Sequence, residues 1–276
     1  MNEAILICTD LDRTLIPNGS QPDSANARER FQQLVSQQQI KLAYVSGRDQ
    51  QLVQKAMRLY QLPQPDFVIG DVGTTLYGIA KNGDWQAIKE WHHHINNDWN
   101  GYTNSQIRAL IHHPDLRLQE IAKQNDHKLS YYFPLSARQQ NMTESIHIVL
   151  SKHGIKANLI WSTDEPNGIG LLDIVPAHAS KYLAIDYLLK SLKMNPSRCV
   201  FCGDSGNDME VLVSPINAVL VANSMDDIKQ QALNAVIKSA SESSLYIAQG
   251  GFMDMNGNYC AGMLEGIHHY FPETTN

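Results

Sequence analysis

The sequence predicts an α/β fold, in which a doubly wound parallel sheet forms the core and a smaller α+β domain is inserted into it. Near both ends of the chain, short apolar runs alternate with helical patterns, which is typical of parallel sheets covered by helices on both faces. Between these two regions, residues 82–170 are more polar, and their strand patterns are more isolated.

The first half of the predicted core begins with the apolar run AILICTD. Each helical segment that follows carries apolar residues at the spacing of one helix face. In chain order, we predict a strand at 4–10, a helix at 24–39, a strand at 40–48, a helix at 49–62, and a strand that continues into a hairpin at 66–77.

The same alternation returns after the insertion. The predicted elements are a strand at 170–176, a helix at 181–192, a strand at 198–204, a helix at 207–215, a strand at 217–223, a helix at 225–234, a strand at 235–240 and a final helix at 261–271. We therefore assign residues 1–81 and 171–276 to one core. The insertion, 82–170, contains all four tryptophans and the strand patterns HKLSYYFP and KANLIWST.

The composition is that of an ordinary soluble globular protein, with 43% hydrophobic and 18% charged residues. The net charge of −6 and the absence of a basic run argue against nucleic-acid binding. With no basic leader pattern and no long apolar run, we expect neither a signal peptide nor a membrane span. The four cysteines predict a reducing compartment, the cytoplasm. The oligomeric state is not indicated.

Two short motifs have a structural and a functional interpretation. Cys199 and Cys202 have the spacing of a redox pair, but they lie in an apolar run that indicates a buried strand, so we interpret them as core residues. Three consecutive histidines, at 92–94, could suggest a metal site. Consecutive residues on a helix point in different directions, so we interpret them as part of a solvated helix face.

Polar residues follow the predicted core strands. Asp10 and Asp12 end the first strand, Ser46-Gly47-Arg48 follow the second, Lys181 opens a helix, and GDSGND at 203–208 follows a later strand. Ligands of open α/β sheets bind at the carboxyl ends of the strands, so we expect these segments to meet at one edge. Taken alone, the aspartates could cap a turn, and 46–48 could be an ordinary strand-to-helix turn.

The charges of these segments predict a cation. Lys181 and Arg48 do not balance the carboxylates, and ligands that are all oxygen favour a hard ion that binds beside phosphate, Mg²⁺. The ion and Lys181 would hold a phosphate, with further hydrogen bonds from Ser46 and from backbone N–H groups at 11–13. The predicted metal-binding residues are Asp10, Asp12, Asp204 and Asp208.

The motif set resembles that of the haloacid dehalogenase superfamily of phosphohydrolases. DLDRT, VSGR, Lys181 and GDSGND fit its four motifs in order, and the insertion resembles the type-2 cap of Cof-type phosphatases. The resemblance implies a Rossmann-like core, an aspartyl-phosphate on Asp10, and Asp12 as the acid and then the base. It also implies Mg²⁺ bound by Asp10, the Asp12 carbonyl and Asp204, with Asp208 supporting through water.

A narrower resemblance, carried by GDVGTTLY, HKLSYYF, LLDIVPAHASKYLA and AGMLEGIHHYF, is to the sucrose-phosphate phosphatase group. It implies a small-molecule disaccharide phosphate as the substrate. Two positions depart from the group pattern, because Thr75 replaces an acid and Lys181 lies between Ser180 and Tyr182 in place of Asn and Gly. A different sugar phosphate therefore remains possible, as do a phosphotransferase or mutase and a non-catalytic sugar-phosphate-binding module.

Besides the catalytic set of Asp10, Asp12, Ser46 and Lys181, seven residues are expected to contact the substrate. In the insertion, Tyr131 and Asn167 are further candidates for sugar contacts, while the tryptophans could either contact sugar or build the core of the insertion. The seven are Thr14, Gly47, Arg48, Thr74, Lys128, Ser130 and Asn207.

Overall fold

The structure, a computed structural model, describes residues 3–164, 167–239 and 244–275. The chain divides into two compact units, one of residues 1–87 and 181–276 and the other of residues 88–180. These bounds differ from the expected insertion of 82–170 because of strand pairing. Residues 85–87 pair in the sheet of the first unit, and residues 169–176 pair in the sheet of the second.

The strands in chain order are β1 Ile5–Thr9, β2 Ile40–Val45, β3 Phe67–Gly70, β4 Thr75–Ile79, β5 Trp85–Ala87, β6 Arg117–Leu118, β7 Leu129–Pro134, β8 Ala157–Asp164, β9 Ile169–Pro176, β10 Cys199–Gly203, β11 Asn217–Leu220 and β12 Leu245–Ile247. The α-helices are α1 Ala27–Val35, α2 Gln50–Tyr60, α3 Lys89–Asn96, α4 Asn104–Leu110, α5 Gln139–Lys152, α6 Lys181–Leu192, α7 Met209–Leu212, α8 Asp226–Ser239 and α9 Cys260–Tyr270.

The first unit is built on a mixed sheet with the strand order β12-β11-β10-β1-β2-β3-β4-β5. The strands from β12 to β3 are parallel, and β4 and β5 add an antiparallel hairpin at one edge. Every residue of β1 and β10 is buried, which explains why their sequences are apolar runs without alternation. The predicted α/β fold class is confirmed.

Helices α1 and α9 pack on one face of this sheet. Phe31 of α1 and Ile267 of α9 lie in one apolar cluster with Ile7 of β1 and Val219 of β11. At Gly266, an added Cβ atom would lie 2.3 Å from a methyl group of Val219, so glycine allows α9 to lie directly against β11. The strands that carry the polar loops are therefore packed against α1 and α9 on this face of the sheet.

The second unit contains an antiparallel sheet with the order β6-β7-β9-β8. Its core joins Leu129 and Leu172 of the sheet to Met142 of α5 and to Trp99. The strand predicted at 170–176 belongs here, as part of β9, and not to the core sheet, because it pairs with both β7 and β8. Trp85, expected in the insertion, lies in β5 of the first unit.

Two predictions near the C-terminus were wrong. The strand predicted at 235–240 is the end of α8, because Ile228, Ala232 and Val236 continue the buried face of that helix at four-residue spacing; residue 240 lies outside the described residues. The helix predicted at 207–215 is reduced to one α-helical turn, α7, preceded by a 3₁₀ turn. None of the helices described here has the length and apolar character needed to cross a membrane.

Candidate active site

Three neighbouring strands deliver the predicted site residues to one edge of the first unit's sheet. β1 lies between β2 and β10, and all three are parallel, so their carboxyl ends lie side by side. Asp10 follows β1, Ser46 follows β2 and Asp204 follows β10. The chain adds β2 and β3 on one side of β1 and later β10 and β11 on the other side. Such a reversal of strand order opens a ligand crevice in α/β sheets.

Three buried carboxylates converge at this edge. Asp10, Asp204 and Asp208 each offer an oxygen within 4.8 Å of the others, and their exposed fractions are 5%, 4% and 0%. Burial raises the pKa of Asp10 to about 8, and the nearby Asp208 and Asp204 add to the rise while Lys181 opposes it. Burial, again with Asp208, raises the pKa of Asp204 to about 7. A positive charge is thus needed to ionise both Asp10 and Asp204 at neutral pH.

Lys181 supplies part of that charge. It is the first residue of α6, and its ammonium group lies 3.3 Å from Oδ2 of Asp10 and 2.6 Å from Oδ1 of Asp208. It also donates to Oδ1 of Asn207. Burial by itself would lower the pKa of Lys181, but the charges of Asp10 and Asp208 raise it above its ordinary value. Lys181 therefore stays protonated between two acids.

Asp208 anchors the loop after β10. Its Oδ2 accepts hydrogen bonds from the backbone N–H groups of Asp204 and Ser205, while Oδ1 accepts from Lys181. A Cβ atom at Gly203 would lie 2.6 Å from that Oδ2, so only glycine allows the carboxylate to approach the backbone this closely. Both oxygens already have donors, which suits a supporting position more than direct coordination of an ion.

Asp12 has different partners from Asp10. Arg48 donates to both of its oxygens, from Nε at 2.7 Å and from a terminal nitrogen at 2.6 Å. Asn18 donates a third hydrogen bond. Burial by itself would raise the pKa of Asp12, but the hydrogen bonds and charge of Arg48 lower it below its ordinary value. The second cation expected from the sequence is thus present, and it is paired with Asp12.

Two of the three backbone amides suggested as phosphate ligands already have acceptors. Leu11 N–H donates to Oδ1 of Asp10, and Arg13 N–H donates to Oδ1 of Asn18. A phosphate bound through either amide would have to displace these hydrogen bonds.

Among the other predicted site residues of the first unit, Ser46, Thr14 and Thr74 are buried. Ser46 is 1% exposed, and its hydroxyl oxygen accepts the Arg48 N–H. Thr14 donates to Oδ1 of Asp204, and the hydroxyl of Thr74 donates to the carbonyl of Asp71. Gly47 and Asn207 are exposed.

In the second unit, Lys128 and Ser130 are 6% and 1% exposed. The hydroxyl of Ser130 donates to Asp173 and to a backbone carbonyl. Tyr131 lies in the core cluster of the second unit, where burial raises its pKa to about 12, and its contact with sugar stays a prediction. Asn167 is exposed and bonds to Asp164 at the hairpin between β8 and β9.

The sequence did not point to three residues at the site. Two of them lie in the loop after β1, and the third holds that loop by a hydrogen bond. Asn18 lies in the sequence Pro17-Asn18-Gly19, which is typical of a turn, and its side chain bonds to both Asp12 and Arg13. Arg13 lies 3.3 Å from Asp204. Asn223 donates to the Arg13 carbonyl from the loop after β11. The Pro17-Asn18-Gly19 turn was the available signal for Asn18; no comparable sequence signal pointed to Arg13 or Asn223.

Comparison with known proteins identifies related chains. The model of a family described as sucrose-6F-phosphate phosphohydrolase matches residues 3–271. A HAD-like hydrolase of Nitrosococcus oceani is 48% identical over 275 residues, which are 99% of this chain and 74% of that protein. Sucrose-phosphatase 1 of Nicotiana tabacum is 30% identical over 242 residues, 84% of this chain and 53% of that enzyme. The chain thus spans about half the length of the tobacco enzyme.

Solved structures share the fold. The sucrose-phosphatase from Synechocystis sp., solved in complex with sucrose and phosphate, has a TM-score of 0.75 at 24% identity over 98% of both chains. A haloacid dehalogenase-like hydrolase from Bacillus subtilis has a TM-score of 0.65 at 16% identity, over 97% of this chain and 92% of that one.

Proposed function

This chain belongs to the sucrose-6F-phosphate phosphohydrolase family of haloacid dehalogenase-type phosphoric monoester hydrolases, and we propose that its substrate is sucrose 6-phosphate or a related disaccharide phosphate. The observation that carries the phosphatase chemistry is the buried group of Asp10, Lys181, Asp204 and Asp208, with Asp12 two residues beyond Asp10. The choice of sugar is supported by the match to the family model.

In the first step, a carboxylate oxygen of Asp10 attacks phosphorus, and the bond from phosphorus to the sugar oxygen breaks. Asp12 gives its proton to that leaving oxygen, so the products are a free sugar hydroxyl and an aspartyl-phosphate. Lys181 stabilises the charge on the phosphoryl oxygens, which electrostatic groups do best when they are fixed before the reaction. The ion pairs of Lys181 support this role, because they hold the ammonium group in place.

In the second step, Asp12 removes a proton from water, and the water oxygen attacks phosphorus. The bond between phosphorus and Asp10 breaks, so inorganic phosphate leaves and the Asp10 carboxylate is restored. Asp12 must be protonated for the first step, yet Arg48 lowers its pKa. We therefore propose that Asp12 leaves Arg48 when substrate binds, and that Arg48 is then available to the phosphate or the sugar.

The donor set fits Mg²⁺. Buried carboxylates with pKa values raised to about 8 and about 7 lack a balancing charge, and ligands that are all oxygen suit a hard divalent ion. Asp10, Asp204 and the Asp12 carbonyl would hold it, and Asp208 would orient the loop. When bound, the ion would ionise Asp10 and polarise the phosphate.

We propose that the second unit acts as a cap that supplies the sugar contacts, with Lys128 and Ser130 as the candidates. Their burial and the bond from Ser130 to Asp173 support fixed orientations for these polar groups. Thr75 stands where the sucrose-phosphate phosphatase group has an acid. The proposal therefore specifies a second sugar ring in the substrate and leaves open whether that ring is glucose.

The test is a panel of sucrose 6-phosphate, other disaccharide phosphates and fructose 6-phosphate, assayed for phosphate release at one Mg²⁺ concentration. We expect the best disaccharide phosphate to exceed fructose 6-phosphate at least about tenfold in kcat/KM, equivalent to about 1.4 kcal/mol. A monosaccharide phosphate that matches every disaccharide would leave only a general sugar phosphatase. Phosphate transfer to a second sugar, with no release, would indicate a phosphotransferase or mutase.

A further inference from the structure

Arg13 has a backbone conformation that is unusual for its residue type. Its φ angle is 57°, in the left-handed region that residues with a Cβ atom seldom adopt. Two asparagine side chains hold it there, since Asn18 accepts its N–H at 2.8 Å and Asn223 donates to its carbonyl at 2.7 Å. Asn223 also accepts the N–H of Tyr259 at 2.7 Å. A strained residue fixed from both sides is a reason to look for a function.

In this conformation, the side chain of Arg13 lies next to Asp204. Nε of Arg13 lies 3.3 Å from Oδ2 of Asp204, and the side chains are 39% and 4% exposed. Within the described part of the chain, this buried Nε has no acceptor in hydrogen-bonding geometry. The guanidinium is thus attracted by charge, without the directional bonds that fix Arg48 to Asp12, and a stronger cation can displace it.

Arg13 and Lys181 pair with different carboxylates of the site. Lys181 pairs with Asp10 and Asp208, whereas the ion pair of Asp204 is with Arg13. We infer that Arg13 is a removable counter-ion: it neutralises Asp204 while no metal is bound, competes with the divalent cation for this carboxylate, and so weakens metal binding. This inference rests on the metal site of the proposed function, and it adds a residue that sets the affinity of that site.

The test measures metal binding without substrate. Free Mn²⁺, a spectroscopic substitute for Mg²⁺, is titrated against metal-free protein and followed by electron paramagnetic resonance, with Mg²⁺ competition as a second measurement. We expect Arg13→Gln to bind Mn²⁺ about tenfold more tightly, as Coulomb's law gives for a unit charge a few ångströms from a divalent ion in a water-like dielectric. Arg13→Lys, which keeps the charge, should bind as the wild type does.

Two further variants control the experiment. Arg28→Gln removes one positive charge at a partly exposed arginine paired with Asp23, and should leave the affinity unchanged. Arg13→Asn removes the charge with a residue that tolerates the left-handed region, so tighter binding here too would show that charge is responsible even if Arg13→Gln folds poorly.

Unchanged or weaker Mn²⁺ binding by Arg13→Gln and Arg13→Asn, with binding lost in Asp204→Asn, would overturn the role of Arg13 and leave the metal site standing. Equal tightening by Arg13→Gln and Arg13→Lys would also overturn it, because charge would then not be the cause. If neither the wild type nor the Arg13 variants bind Mn²⁺, both the inference and the proposed metal fail.

Discussion

The ammonium group of Lys181 lies 2.6 Å from Oδ1 of Asp208, and both side chains are buried. The same ammonium group lies 3.3 Å from Oδ2 of Asp10. One lysine thus balances part of the charge of two acids that have little access to water. Removing one partner of such a buried pair leaves an uncompensated charge, which costs more than the pair contributes.

Lys181→Met should therefore lower both stability and turnover. We expect a loss of about 3 kcal/mol in the free energy of unfolding and a fall in kcat of at least about 100-fold, because a fixed charge near the phosphoryl oxygens is removed. Denaturant unfolding and steady-state kinetics measure the two effects. The double variant Lys181→Met/Asp208→Asn should regain part of the stability but no activity. If it regains no stability, the two side chains are not coupled.

Asp10→Asn should abolish turnover and leave the fold intact. The amide cannot form the aspartyl-phosphate, while its size is almost that of the carboxyl group. Phosphate release and thermal unfolding are the measurements, and Asp226→Asn, at a side chain that is 99% exposed, is the matched control. Turnover near the wild-type rate in a clean preparation of Asp10→Asn would remove Asp10 from the role of nucleophile.

The position of Asp10 could be predicted from the sequence for a physical reason. Strands buried on both faces are apolar runs, so the points where β1, β2 and β10 end are visible as changes from apolar to polar residues. Parallel pairing then brings those ends together without further information. That logic does not cover Lys181, because the strand before it, β9, pairs in the other sheet; what marked Lys181 in the sequence was its place at the start of α6.

Other features depend on information that a local pattern does not contain. The apolar run of β9 does not reveal which sheet it joins, since pairing partners are set by the whole fold. Val236 belongs equally well to a strand pattern and to the buried face of α8. The pairings of Arg48 with Asp12 and of Arg13 with Asp204 depend on side-chain conformations, and the two members of each pair lie far apart in the sequence.

The metal-free protein should lose stability as pH rises. The pKa of Asp10 is raised from 3.8 to about 8 and that of Asp204 from 3.8 to about 7. Between these limits the folded state holds protons that the unfolded state has released, so the free energy of unfolding falls with increasing pH. The contribution is fully present below the unfolded pKa and is lost as pH passes through the folded value.

Thermal unfolding in EDTA, from about pH 5 to about pH 8.5, measures this dependence. Asp204→Asn should give a shallower decline, whereas the exposed control Asp226→Asn should follow the wild type. Added Mg²⁺ should raise Tm more at the alkaline end, where the carboxylates are ionised and free to bind it. A Tm that is independent of pH over this range in both the wild type and Asp204→Asn would contradict the raised pKa values.

Arg48→Gln should shift the pH dependence of hydrolysis by changing Asp12. Arg48 lowers the pKa of Asp12 in the free enzyme, so its removal raises that pKa and keeps Asp12 protonated to higher pH. We expect the alkaline limb of kcat/KM for a sugar phosphate to move to higher pH, because kcat/KM reports the free enzyme. The limb for p-nitrophenyl phosphate should not move, since this good leaving group needs no acid.

Asn18→Ala, which removes a single hydrogen bond to Asp12, should give a smaller shift in the same direction. A uniform rise in KM with both limbs unmoved would instead mean that Arg48 acts only by binding the substrate and that another group donates the proton.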